Sequence, residues 1–101
     1  MSVPAVLRRL RAGPGVTPAQ LERSGRQHEA LTRIRNLRAA HRIASETGLY
    51  FIGCARRAVG PVESVHCSEL GAEWFLRAVR LADELDEQKR ALRAMKASAA
   101  E

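Results

Sequence analysis

The side chains able to do chemistry in this sequence are few, and their spacing decides against most of it. Cys54, His66 and Cys67 are of the types that hold zinc. A structural zinc takes four ligands at tetrahedral angles, and the adjacent pair His66-Cys67 is a poor way to supply two of them. No Cys-x-x-Cys pair occurs, and a fourth ligand would have to come from His28 or His41. These residues therefore read as ordinary thiols and an ordinary imidazole, with no metal. Glu84, Asp86 and Glu87 offer carboxylates, but on a helix they make a solvated charged face rather than a convergent acid–base pair. No phosphate loop, nucleophile elbow or dinucleotide fingerprint occurs. The sequence predicts neither an enzyme nor a cofactor.

What remains is the chemistry of recognition, concentrated in residues 25–38. Read as one helix, this stretch and the residues just after it put Leu31, Ile34, Leu37, Arg38 and His41 on one side, at spacings of three and four. His28, Glu29, Thr32, Arg35 and Asn36 fall on the other side, with Arg33 at the flank. Arginine, asparagine, threonine and histidine hydrogen-bond base edges and phosphates, so the outward face has the composition of a nucleic-acid reader. An ordinary solvated helix face has the same make-up. The charge distribution favours the reader. Residues 1–47 hold nine arginines against three acids, while residues 48–101 hold eight basic and eight acidic residues, so the whole net charge of +6 lies in the first half. A polyanion is the partner such an asymmetry fits.

Elements to position these residues can be read along the chain. Residues 3–12 make a short helix with Pro4 in its first turn, stopped by Gly13-Pro14-Gly15. Thr17, Pro18 and Gln20 form a capping signal, and Val16 and Leu21 occupy the two positions of a hydrophobic staple, so a helix starts at Pro18. Gly25 is read as its end, at positive φ, with the arginine-rich helix beginning just beyond. Ile43-Ala44-Ser45 and Leu49-Tyr50-Phe51-Ile52 are β-prone runs flanking Glu46-Thr47-Gly48, the pattern of a hairpin. Val62-Glu63-Ser64-Val65 offers a second register, pairing with residues 49–53 and leaving Arg56 and Arg57 in the connecting loop.

The succession of a helix, Gly-Val-Thr-Pro-Ala-Gln-Leu, a glycine turn, residues 31–45 and then Leu49-Tyr50-Phe51-Ile52-Gly53 resembles a winged helix-turn-helix domain. Arg33-Ile34-x-x-Leu37-Arg38 followed by Ile43 is similar to small helix-turn-helix proteins of bacteriophages and mobile elements. The resemblance covers about residues 3–53, and it departs at Ala40-His41-Arg42, where such relatives usually carry glycine. It implies a mainly α fold with a small β wing, and a DNA-binding transcriptional regulator whose third helix enters the major groove. Gln27, His28, Thr32, Arg33 and Asn36 would then read bases, Arg26, Arg35 and Arg42 would hold phosphates, and Arg56 and Arg57 would serve in the wing. Two other roles suit the same features: a protein-binding winged helix that inhibits a host complex, and a DNA-packaging or virion component.

The last third has a different pattern. Between Ser68 and Lys96 there is no proline and Gly71 is the only glycine. Trp74, Ala78, Leu81, Leu85, Gln88, Leu92 and Met95 alternate at spacings of four and three, the period of a coiled-coil seam. The expected organisation is a winged helix-turn-helix domain over 1–66, followed over 67–101 by a long helix that dimerises through Trp74, Leu81, Leu85 and Leu92. The final residues, 97–101, are expected to fray. No apolar run reaches the roughly 20 residues that span a bilayer, and two cysteines are too few for a disulfide framework. The expected setting is the cytoplasm of a bacterial host, with double-stranded DNA and a second copy as partners.

Overall fold

In a computed structural model that describes residues 15–100 (the last two by backbone alone), the chain is a helical hairpin. Helix α1, Pro18–Arg57, and helix α2, Pro61–Ala100, run antiparallel across a turn at residues 58–60. Each has 40 residues, about 60 Å at 1.5 Å per residue.

The start of α1 follows from its capping signal. The Thr17 hydroxyl accepts from the Gln20 backbone N–H at 3.2 Å, and the Gln20 side chain accepts from the Thr17 N–H at 2.9 Å. Two N–H groups that a helix start leaves without partners are thereby satisfied. At the turn, Ala58 leaves the helical region (φ −65°, ψ 137°), and Pro61 opens α2 where a missing N–H costs nothing. The Ser64 N–H donates to the Gly60 carbonyl at 3.1 Å, and the Ser64 hydroxyl donates to the Ala55 carbonyl, also at 3.1 Å. That second bond ties the first turn of α2 to the last turn of α1. Arg56 and Arg57 end α1 and Glu63 begins α2, the signs that the two helix dipoles favour.

The helices are held by a shared seam. On α1, Ala30, Ile34, Ala44 and Gly48 are buried, and Leu37, His41, Phe51 and Ala55 are half-buried at the same alternation of threes and fours. On α2 the matching row includes Gly71, Ala78 and Leu92, buried, with Trp74, Leu81, Leu85 and Met95 half-buried. Ala30, Ile34 and Leu92 form one cluster, with Leu85 and Met95 packed against it. Burying a leucine or isoleucine side chain stabilises by about 1.5–3 kcal/mol. Towards the turn the seam uses small residues, and the backbones close on each other. A Cβ on Gly71 would stand 2.9 Å from Ile52 Cδ1 and 3.3 Å from the Gly48 carbonyl oxygen. One on Gly48 would stand 3.1 Å from the Phe75 ring.

The hairpin is one helix thick. Its extents are 71 × 30 × 12 Å, and its radius of gyration of 21.5 Å far exceeds the roughly 13 Å of a compact domain of this length.

This architecture overturns the winged helix-turn-helix reading. Among the described residues there is no strand, so there is no β wing in either register, and Ile43-Ala44-Ser45 and Leu49-Tyr50-Phe51-Ile52 lie inside α1. Gly25 does not end a helix. No described glycine has positive φ, and α1 runs straight through it. One continuous helix is favoured because the buried seam rewards a 3.5-residue period over most of α1, against β-propensity differences of about 1 kcal/mol at most. The boundary expected between residues 66 and 67 falls inside α2, which begins at Pro61. Helix also continues beyond Lys96 to Ala100, where fraying was expected from residue 97 on. The expected helix over residues 3–12 lies outside the described residues.

The glycines differ in what they permit, which is testable by thermal and urea unfolding followed by circular dichroism. Gly71→Leu should destabilise the hairpin by about 1–3 kcal/mol, the usual cost of overpacking. Gly25→Ala should stabilise it by about 0.4–1 kcal/mol, since nothing lies within 4 Å of the added Cβ. Equal effects at the two positions would contradict the close approach.

Candidate nucleic-acid interface

Folding the chain back on itself redistributes its charge. The last 25 described residues of α2 lie beside the first half of α1, so basic groups that are remote in sequence become neighbours. Residues 18–44 and 76–100 together carry twelve basic side chains against six acids, while residues 45–75, around the turn, carry two against four. The hairpin therefore has a basic open end and a slightly acidic tip.

Within the open end, one broad face holds a groove of about 700 Å³ lined by Leu31, Ile34, Arg35, Arg38, Asp86, Lys89, Leu92 and Arg93. Its floor is the seam (Ile34 and Leu92) and its walls are basic. Arg35 and Arg38, one turn apart on α1, face Lys89 and Arg93, four residues apart on α2, with Asp86 the single acid among them. The opposite face is more evenly balanced. There Arg33, Asn36, Leu37 and Ala40 share a shallower groove of about 410 Å³ with Glu84 and Gln88. Nearer the open end, Arg23, Arg26 and Gln27 lie across from Ala91, Ala94 and Met95.

The residues expected to contact DNA thus divide into three groups. Arg35 gains basic neighbours from α2. Arg33 and Asn36 meet a groove that also contains a carboxylate, and Arg26 and Gln27 sit in a third depression. His28, Thr32 and Arg42 are exposed along α1, and the Thr32 hydroxyl donates to the His28 carbonyl at 3.0 Å, which leaves it only acceptor capacity outward. Arg56 and Arg57 are not part of any of these. They end α1, and Arg57 lies 22 residues beyond Arg35, about 33 Å along the helix. Lys89 and Arg93 were missed in sequence, although they flank the heptad seam on the side that α1 fills with arginine.

No family model, curated protein or solved structure matches this chain.

The residues expected to dimerise face inward. Leu92 is buried against Ala30 and Ile34, Leu85 packs on the same cluster, and Leu81 and Trp74 are half-buried along the same row. In the single chain that seam is filled by α1. Trp74 also carries the Arg77 guanidinium over its ring, 4.5 Å from the centroid.

Near the tip, the two thiols are free, and the Cys54 sulfur accepts from an Arg57 guanidinium N–H at 3.8 Å. Among the described residues no three metal-ligating side chains converge, and no helix is long and apolar enough to cross a membrane. The Tyr50 phenol is pushed above its ordinary 10.0, chiefly by the neighbouring Cys54 thiol, with Arg57 opposing. Tyr50 is the one tyrosine of the chain, so the tyrosinate absorbance reports it alone. Replacing Cys54 by alanine should move that titration down towards 10.0; an unchanged curve would mean that the thiol does not act on it.

Proposed function

We propose that the protein binds duplex DNA through the basic half of the hairpin. The observation that carries this reading is the convergence of Arg35 and Arg38 with Lys89 and Arg93 on one groove, with one acid among them. Guanidinium and ammonium groups held on two rigid helices are preorganised for successive phosphates, and each neutralised phosphate releases counterions. The outer edge of α1 supports the same reading. The hairpin is a single layer of helices, and a helix with its side chains is about 10–12 Å across, close to the width of about 12 Å of a major groove. An edge-on approach would carry exposed Arg35, Asn36 and Arg42 towards base edges and phosphates. Sequence-specific regulation rested on the winged-helix resemblance and is not carried forward; the charge supports affinity for the backbone. A reducing cytoplasm, with free Cys54 and Cys67, is the compartment that suits such a partner.

Fluorescence anisotropy with a labelled duplex tests this. If the four basic groups of the groove each engage a phosphate, affinity should fall roughly a hundredfold between about 50 and 200 mM salt. Arg35→Glu combined with Lys89→Glu should abolish binding with unchanged circular dichroism, whereas Arg56→Glu at the tip should leave it intact. No salt dependence, or an equal loss from Arg56→Glu, would overturn the proposal. No anisotropy change on mixing with the duplex would do the same, and would point to an acidic protein surface instead.

A further inference from the structure

The broad face that holds the basic groove changes character towards the turn. Counting in sevens from Leu31 and Arg38 along α1 leads to Ser45 and Ile52, and counting back from Lys89 along α2 leads to Ala82, Phe75 and Ser68. These residues continue the two rows that wall the groove. Ile52 and Phe75 each follow a seam glycine by one helical turn, and each rests against the glycine of the other helix. Outside them stand Leu49 on α1, and Val65, Ala72 and Val79 on α2. Leu49 is 63% exposed, and Val65 and Val79 are each 58% exposed. Along α2 this face carries no charge from Val65 to Ala82, about 25 Å at 1.5 Å per residue. Along α1 it is uncharged between Arg42 and Arg56. The opposite face over the same length is broken by Glu63, Glu73, Arg77 and Arg80. The two faces of the tip half are therefore unlike along α2, where only the groove face is free of charge; along α1 both are uncharged, and the opposite one exposes Ile43 and Tyr50.

We infer that this uncharged face binds a second copy of the chain, antiparallel to the first, with tips overlapping and basic ends pointing apart. Two observations choose this occupant. The first is the thinness of the hairpin. Among the described residues a single layer buries only Ala30, Ile34, Ala44, Ala78 and Leu92 of its apolar side chains, whereas stable domains enclose a core between two layers. A second hairpin laid across Ile52 and Phe75 completes a four-helix bundle around them. The second is charge. Parallel stacking would press two strongly basic open ends together, whereas an antiparallel two-fold stack overlaps only the nearly neutral tips. The available area is sufficient. A patch about 25 Å long and two helices, about 20 Å, wide covers about 500 Å² per copy, or about 1,000 Å² in total, the size at which weak, transient interfaces begin. The dimer is accordingly one that dissociates on dilution. It presents two basic ends, about 100 Å apart for open ends that each lie about 33 residues from the patch centre.

Sedimentation velocity over a concentration series, at high salt without nucleic acid, tests the inference separately from DNA binding. The parent should pass from the 11.1 kDa monomer to twice that mass as concentration rises. Leu49→Glu with Val79→Glu, both exposed in the monomer, should remain monomeric throughout with unchanged helicity. Tyr50→Glu, directed to the other face, should dimerise like the parent. Spin labels on cysteines placed at Val59, with Cys54 and Cys67 replaced by alanine, should report a separation of about 25 Å in the dimer, and labels at Gly25 should lie beyond about 70 Å. A parent that stays monomeric at the highest concentration overturns the inference, even if the patch then captures a different protein. So does a dimer insensitive to Leu49→Glu and Val79→Glu, or one whose labels are close at both ends.

Discussion

The hairpin depends on how closely its two backbones approach at Gly48 and Gly71. With no Cβ on either residue, the Gly48 carbonyl lies near the Gly71 Cα, and the Ile52 and Phe75 side chains fold over the gap. Dispersion falls steeply with distance, so a narrow seam of Ala44, Gly48, Gly71 and Ala78 holds two helices with little side-chain volume. Farther from the turn the helices need spacers, and Ile34, Leu85 and Leu92 provide them. Small side chains near the turn and larger ones towards the open end thus set the spacing along the whole length, while the Ser64–Ala55 bond pins the register at its start.

That geometry has a consequence for surfaces. A single layer gives each helix one neighbour, and most of its circumference faces water. Charged residues dominate the open end, where twelve basic side chains meet six acids, while Val62 and Leu76 stand exposed on the outer edge of α2. The tip half of one face is left to Leu49, Val65 and Val79. The molecule is consequently divided lengthwise: an end suited to polyanions, and an end suited to an apolar partner. The two are far enough apart to be engaged independently.

Only pieces of the fold were legible. Thr17, Pro18 and Gln20 specified the start of α1 through local hydrogen bonding, which needs no tertiary partner. The period from Trp74 to Met95 was visible because leucines mark it. The equivalent row on α1 was legible only at Ile34, Leu37 and His41. Its other members from Ala30 to Ala55 include three alanines and a glycine, and a search for large apolar residues passes over them. Gly25 and Gly48 were read as punctuation because glycine is usually found in turns. Here one is merely tolerated on an exposed helix and the other is required by contact, a distinction only the neighbouring helix can make.

What the sequence determined by itself was therefore local or additive: where α1 begins, that a long helix occupies the last third, and that the chain is basic. The tertiary structure decided which residues are neighbours. It gave the coiled-coil seam a partner within the chain, because a turn at residues 58–60 brings α2 back alongside α1. It also joined Arg35 and Arg38 to Lys89 and Arg93 across more than fifty residues of sequence. Charge can be counted from composition, but a groove exists only when two helices lie side by side, and their register is set by packing.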